Sequence, residues 1–201
     1  MEVNFADSFE DSLKTMISHN TWWYKTYNLF RRDIPNFVKN VWRFRKPLWN
    51  HSWWDNHASL EFLQVSLTHM ADNIEKYGIE IDGPRLKKVE KMRRASQLIQ
   101  NYINDSYSEM AESELGELIL HDWEFEDIPD KPGFSRLVDK ETPEEKEHNT
   151  KVFKRAHEIE SQEWNELFEI LKGQDVNKFD KDYDWDWDKQ FDGSGLKYWW
   201  D

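Results

Sequence analysis

Apolar side chains recur at helical spacing along most of this chain. The clearest stripe alternates steps of three and four residues, the spacing of a heptad seam. It consists of Leu60, Leu63, Leu67, Met70, Ile74 and Tyr77. This pattern predicts a helix that ends at Gly78, with the glycine in left-handed geometry. The seam has two interpretations, because it can pack inside the fold or form a homo-oligomer interface.

A short turn follows Gly78, and Pro84 is expected to begin a second helix that runs to about Asn104. A turn of this length makes the two helices antiparallel neighbours. The residues expected to face inward are Leu86, Val89, Met92, Leu98, Ile99 and Tyr102.

Two helices are predicted nearer the N-terminus. Residues Ser8 to Ser18 form a short amphipathic pattern. A second helix should begin at Asp33-Ile34-Pro35 and end at Lys46-Pro47, because a residue before proline avoids the α region. Its apolar stripe is Ile34, Phe37, Val38, Val41 and Trp42. The stretch from Trp22 to Phe30 is too irregular to assign.

Capping signals mark two helices in the second half. Ser106 with Glu109 predicts a capping box for a helix to Leu118 or Leu120. Thr142 with Glu145 predicts a stronger one, for a helix that runs to Lys172. The expected inward residues of the latter are Val152, Phe153, Ala156, Ile159, Trp164, Leu167, Ile170 and Leu171. Residues 121–140 lack periodicity and are expected to be a loop.

These elements together predict an all-α protein, a single-domain bundle of about four to six helices. The bundle is expected over residues 1–174, followed by an acidic aromatic tail over residues 175–201. Between Asp182 and Asp188 the tail alternates acidic and aromatic residues. We expect the tail to dock on the bundle with Trp185 and Trp187 buried, because exposed tryptophan is costly; a disordered tail is the alternative.

Composition excludes several protein classes. The 201 residues contain no cysteine, which removes disulfide scaffolds, thiolate metal sites and cysteine nucleophiles. No apolar stretch is long enough to cross a bilayer, and the first residues are acidic where a signal peptide would be basic. Twelve tryptophans offset a low hydrophobic content of 38%, so a packed core is expected.

Charge is segregated along the chain, although the net charge is −13. From Trp22 to Trp54 there are seven basic residues against one acid, a net charge of +6. Aromatic faces stack on nucleobases and arginine binds phosphate, so the segment is a candidate site for an anionic nucleotide-type ligand. The candidate ligand-binding residues are Arg31, Arg32, Trp42, Arg43, Arg45, Trp49, Trp53 and Trp54.

Two other interpretations of this segment remain open. It can contact an anionic membrane or another protein. Alternatively, its tryptophans are core and its arginines meet solvent or the acidic tail. Extended duplex nucleic acid is not expected as a partner, because the overall charge opposes it.

Signals for catalysis are weak. His51, Asp55, His57 and Glu61 lie close in sequence and are candidates for a metal or acid–base site. Glu145 with His148 supplies one half of a bundle metal motif. The run Asp184, Asp186 and Asp188 departs from a calcium loop at Lys189 and Gly195. The chain has no glycine-rich phosphate loop and no nucleophile elbow, so we expect a non-catalytic protein without a cofactor.

Four short aromatic or basic motifs together form a pattern. They are Trp42-Arg-Phe-Arg-Lys-Pro-Leu-Trp49, the following Trp53-Trp54-Asp55, the pair Arg93-Arg94 and the ending Tyr198-Trp-Trp-Asp201. This pattern resembles a group of small, acidic, Trp-rich helical proteins of tailed bacteriophages, mainly over residues 40–105. The resemblance implies a phage product that acts in the bacterial cytoplasm or is carried in the virion. It assigns no activity to individual residues.

Overall fold

A computed structural model describes residues 22–52, 54–175 and 190–200. The chain is all-α, as predicted, and over these residues it has one small two-stranded sheet. The described helices are α1 (Trp22–Asn28), α2 (Ile34–Arg43), α3 (Arg45–Trp49), α4 (Asn56–Tyr77), α5 (Asp82–Ile103), α6 (Tyr107–Leu115) and α7 (Pro143–Lys172). Strands β1 (Glu124–Asp127) and β2 (Ser135–Val138) pair antiparallel, and a 3₁₀ turn spans Leu196–Tyr198. The predicted helix at Ser8–Ser18 lies outside the described residues, as do Trp53, Trp185 and Trp187.

Contacts divide the chain into two compact units, Met1–Ala58 and Ser59–Asp201, which we call unit 1 and unit 2. Unit 2 contains two hydrophobic clusters, one around Leu67, Met92 and Ile99 and a smaller one around Ala111 and Val152. Helix α7 contributes to both clusters, packing on α5 and on α6. The heptad seam of α4 therefore packs inside unit 2. Leu67 and Ile74 are buried, and Leu60, Leu63 and Met70 are partly buried against the same cluster. Tyr77, at the end of the seam, is exposed.

The capping box at the start of α7 is confirmed. The Thr142 side chain accepts a hydrogen bond from Glu145 N, and Thr142 N donates to Glu145 Oε2 at 2.8 Å. Gly173 ends the helix in the left-handed region, with φ 73°. Two inward predictions were wrong: Phe153 of α7 and Leu86 of α5 are exposed.

Gly78 follows α4 without left-handed geometry, contrary to the prediction. A Cβ added here would lie 2.5 Å from Ile74 O and 2.9 Å from Arg85 Cδ. Arg85 donates to Ile74 O at 3.1 Å and to Glu75 O, so its guanidinium covers the last carbonyls of α4. Glycine is needed for this close approach rather than for its backbone freedom.

Two further predictions in unit 2 were wrong. Ser106 precedes α6 but its side chain makes no capping hydrogen bond, and α6 ends at Leu115 before Gly116, which has φ 104°. The expected loop over residues 121–140 contains the β1–β2 hairpin. In this hairpin Phe125 lies opposite Leu137 and Glu126 lies opposite Arg136. Arg136 Nη2 donates to Glu126 Oε2 at 3.0 Å. Cross-strand pairing joins residues about ten apart in sequence, which a search for local periodicity does not detect.

Residues 190–200 pack on the helices of unit 2. Phe191 and Trp199 are buried, and Trp199 belongs to the main hydrophobic cluster. The indole Nε1 of Trp199 donates to Gly193 O at 2.7 Å. Gly195 N donates to Ile170 O at 2.8 Å, which anchors this segment beside the end of α7.

Candidate binding surface of unit 1

The helical region of unit 1 is longer than predicted. Helix α2 begins at Ile34 with Pro35 in its first turn, as predicted. The preceding stretch, which the sequence pattern left unassigned, is also helical: α1 leads into α2 through a π-helical stretch, Leu29–Asp33. Pro35 explains this stretch, since a proline inside a helix clashes with the carbonyl four residues before it. That carbonyl belongs to Arg31, and the wider π turn relieves the clash.

Pro47 does not end the helix, contrary to the prediction. Phe44 interrupts it, and Pro47 lies in the first turn of α3, where a missing N–H has no helical partner to lose. The helix is thus broken one turn earlier than the sequence predicted, and α3 carries Trp49.

The described indoles of this segment are in contact with solvent. Trp22, Trp23, Trp42, Trp49 and Trp54 are 66–90% exposed. They are not core residues of unit 1, which was one of the interpretations of the sequence.

The candidate arginines make local contacts. Arg32 pairs with Asp33 at 2.9 Å, and this hydrogen bond and charge raise the pKa of its guanidinium. Arg43 Nη1 donates to Asn40 Oδ1 at 3.3 Å. Arg45 lies over the Trp42 ring, 4.3 Å from the centroid, and donates to Trp42 O at 2.8 Å. These bonds orient the guanidinium groups without burying them.

Arg31 lies in a shallow groove that the sequence did not reveal. The groove has a volume of about 430 Å³ and is lined by Trp23, Thr26, Tyr27, Phe30 and Arg31. Arg31 donates to Tyr27 Oη, and its guanidinium lies 5.4 Å from the centroid of that ring. The signal in the sequence was the spacing of Trp23, Tyr27 and Arg31 at successive steps of four.

The candidate metal and acid–base residues do not form a metal cluster within the described residues. Asp55 Oδ1 accepts from His57 N at 2.9 Å and lies 3.8 Å from His57 Nδ1. Glu145 belongs to the capping box and bonds His121 at 3.2 Å, whereas His148 bonds Glu117 O at 3.0 Å. The aspartates of the calcium-like run lie outside the described residues.

No helix in the described ranges has both the length and the apolar character needed to cross a membrane. Comparison of the chain with protein-family models, with curated proteins and with solved structures finds no match.

Proposed function

We propose that this chain is a non-catalytic accessory protein of a tailed bacteriophage that binds an anionic nucleotide-type ligand on unit 1. In that setting it would be a counter-defence factor that sequesters a nucleotide signal in the cytoplasm of the host, or a factor carried in the virion. The phage setting rests on the sequence resemblance alone. The ligand class rests on the groove around Arg31.

The groove combines the two groups that a nucleotide needs. Trp23, Tyr27 and Phe30 supply aromatic surface, and a stacked base contributes about 1–3 kcal/mol on such surface. Arg31 supplies a guanidinium that binds phosphate through paired hydrogen bonds. No carboxylate of the described residues forms an ion pair with Arg31. A phosphate would therefore displace only the bond from Arg31 to the Tyr27 hydroxyl.

Titration with a panel of mono- and cyclic nucleotides tests this proposal, with tryptophan fluorescence as the readout. Stacking on Trp23 quenches its emission, so a saturable decrease is expected. Arg31→Gln should weaken binding at least tenfold, because hydrogen bonds to a charged group are worth about 1.5–3 kcal/mol. Arg136→Gln in the hairpin removes the same charge from unit 2 and should leave the titration unchanged. An absence of saturable quenching at millimolar nucleotide would remove the proposal.

A second candidate function is assembly with a host or phage protein without a small ligand. The β1–β2 hairpin favours it, because Trp123, Phe125, Phe134 and Leu137 expose most of their apolar surface. Exposed apolar patches mark protein–protein interfaces. Cross-linking of the chain in infected cells, with Phe125→Ser/Leu137→Ser as the comparison, distinguishes the two functions, since nucleotide binding does not need the hairpin.

A further inference from the structure

The described part of unit 1 buries almost none of its apolar surface. Over residues 22–52 and 54–58, only Pro47 and Ala58 are buried. Helices α1 and α2 and the π turn between them contain no buried residue. Short helices are marginal in water without a packed apolar face, so a partner that covers this surface would stabilise it.

The apolar residues of α2 lie on one face. Ile34, Phe37, Val38, Val41 and Trp42 follow the spacing of a single helical stripe, and each is 39–69% exposed. Lys39 and Arg43 lie off this stripe, on the polar side of the helix. An aromatic and aliphatic face opposite a basic face is the pattern of helices that lie in a membrane interface.

Cationic groups also border the stripe. The guanidinium of Arg45 stacks on Trp42, at the edge of the apolar face. Trp49 follows on α3 and is 90% exposed. Indole rings and arginine heads favour the headgroup level of a bilayer, where one end of the side chain is apolar and the other is wet.

We propose that the apolar stripe of α2 docks on an anionic lipid surface, with Lys39, Arg43 and Arg45 on the headgroup phosphates. The net charge of +6 over residues 22–54 complements such a surface. The same charge disfavours a symmetric contact between two copies of this face, because two such faces repel each other. The nucleotide groove lies on α1 and the π turn, so this inference stands on different residues from the proposed function.

Co-sedimentation of the full chain with vesicles tests the inference. Vesicles of phosphatidylcholine with a third of phosphatidylglycerol should bind the protein, and pure phosphatidylcholine vesicles should bind it far less. Binding should weaken as salt is added, because exposed charges are screened. Lys39→Gln/Arg43→Gln should weaken partitioning about 30-fold, since each basic residue contributes about 1 kcal/mol at such a surface. Lys131→Gln/Lys154→Gln removes the same charge from unit 2 and should have little effect.

The apolar contribution is tested by Phe37→Ser/Val41→Ser. Serine has a helix propensity close to that of phenylalanine and valine, so α2 is retained. Loss of the two side chains should weaken partitioning about tenfold or more. The matched control is Phe125→Ser/Leu137→Ser, which removes an equally apolar exposed pair from the hairpin of unit 2.

Brominated lipid gives a readout that does not depend on the folding of these variants. Bromine quenches indoles that enter the acyl region, so wild-type emission should fall on anionic brominated vesicles. Trp42→Phe keeps the stripe apolar and should remove part of that quenching, whereas Trp123→Phe should not.

Three outcomes would overturn the inference. The first is no association with anionic vesicles at low salt. The second is association that Phe37→Ser/Val41→Ser leaves unchanged, which would show a purely electrostatic contact. The third is a dimer in sedimentation velocity, without lipid, that the same variant dissociates, which would assign the stripe to a second copy.

Discussion

The indole of Trp199 donates its Nε1 hydrogen to the carbonyl oxygen of Gly193 at 2.7 Å, inside unit 2. Trp199 is 3% exposed and packs with residues of α4, α5 and α7. One side chain thus ties the last described residues to the main hydrophobic cluster and fixes the turn at Gly193.

Trp199→Phe should lower the free energy of unfolding by about 2–4 kcal/mol. The variant leaves the buried Gly193 carbonyl unpaired, which costs about 1–3 kcal/mol, and it also creates a cavity. Trp200→Phe is the matched control, because Trp200 is exposed, and a surface substitution changes stability by about 0.5 kcal/mol or less. Urea denaturation followed by circular dichroism measures both. Equal stabilities would contradict the assigned role of Trp199.

The capping box predicts a second effect on stability. Thr142→Ala should destabilise unit 2 by about 1 kcal/mol, because the backbone N–H of Glu145 loses its acceptor. Thr150 is the control, since its hydroxyl bonds Lys146 O within the same helix and caps nothing. Thr150→Ala should keep or slightly raise the urea midpoint, because alanine has the higher helix propensity. A decrease as large as that of Thr142→Ala would argue against the capping role.

Acid should weaken the same cap. The Glu145 carboxylate accepts hydrogen bonds from the backbone N–H of Thr142 and from the His121 side chain. Both bonds, the first more strongly, lower the pKa of Glu145 below its usual value of 4.5. Because the folded state favours the charged form, its stabilising contribution is complete above pH 4.5 and is lost as pH falls through the lowered pKa. The stability difference between wild type and Glu145→Gln should therefore narrow on acidification. Urea denaturation over a pH series measures it, with Glu144→Gln as the control, and a constant difference would contradict the prediction.

Gly78→Ala should destabilise the α4–α5 turn by about 1–3 kcal/mol. The new methyl group would approach Ile74 O and Arg85 Cδ, so either the turn or the arginine must move. Gly133→Asn provides a comparison in the hairpin, where no atom lies within 4 Å and asparagine tolerates the positive φ of 84°. Thermal unfolding compares the two, and a Gly78→Ala variant as stable as wild type would contradict the close contact.

Local signals predicted the long helices of unit 2. The seam advances from Leu67 through Met70 to Ile74 in steps of three and four residues, and the cap joins Thr142 to Glu145. Such steps are the range over which helical neighbours meet. The β1–β2 hairpin could not be predicted in this way, because Phe125 and Leu137 gain their contact only when the chain reverses between them.

The candidate binding surface was predicted by residue type but not by geometry. Trp42 and Arg45 were named from composition, and the structure brings them together through a stacking contact. Trp23 and Phe30 were not among the named residues, because the π turn and Pro35 made the start of this helix difficult to read. The sequence therefore predicted which types of side chain lie in this segment. Which of them line the groove around Arg31 depends on the π-helical stretch, which the sequence did not predict.

The scarcity of buried residues between Trp22 and Ala58, as far as the structure describes them, divides the molecule into regions of unequal local stability. Amide hydrogens of α1 and α2 should exchange with deuterated solvent long before those around Ile99, because local opening there exposes almost no new apolar surface. Any occupant of unit 1 would slow this exchange. Unit 1 would then gain its rigidity from whatever it binds, while unit 2 keeps its own.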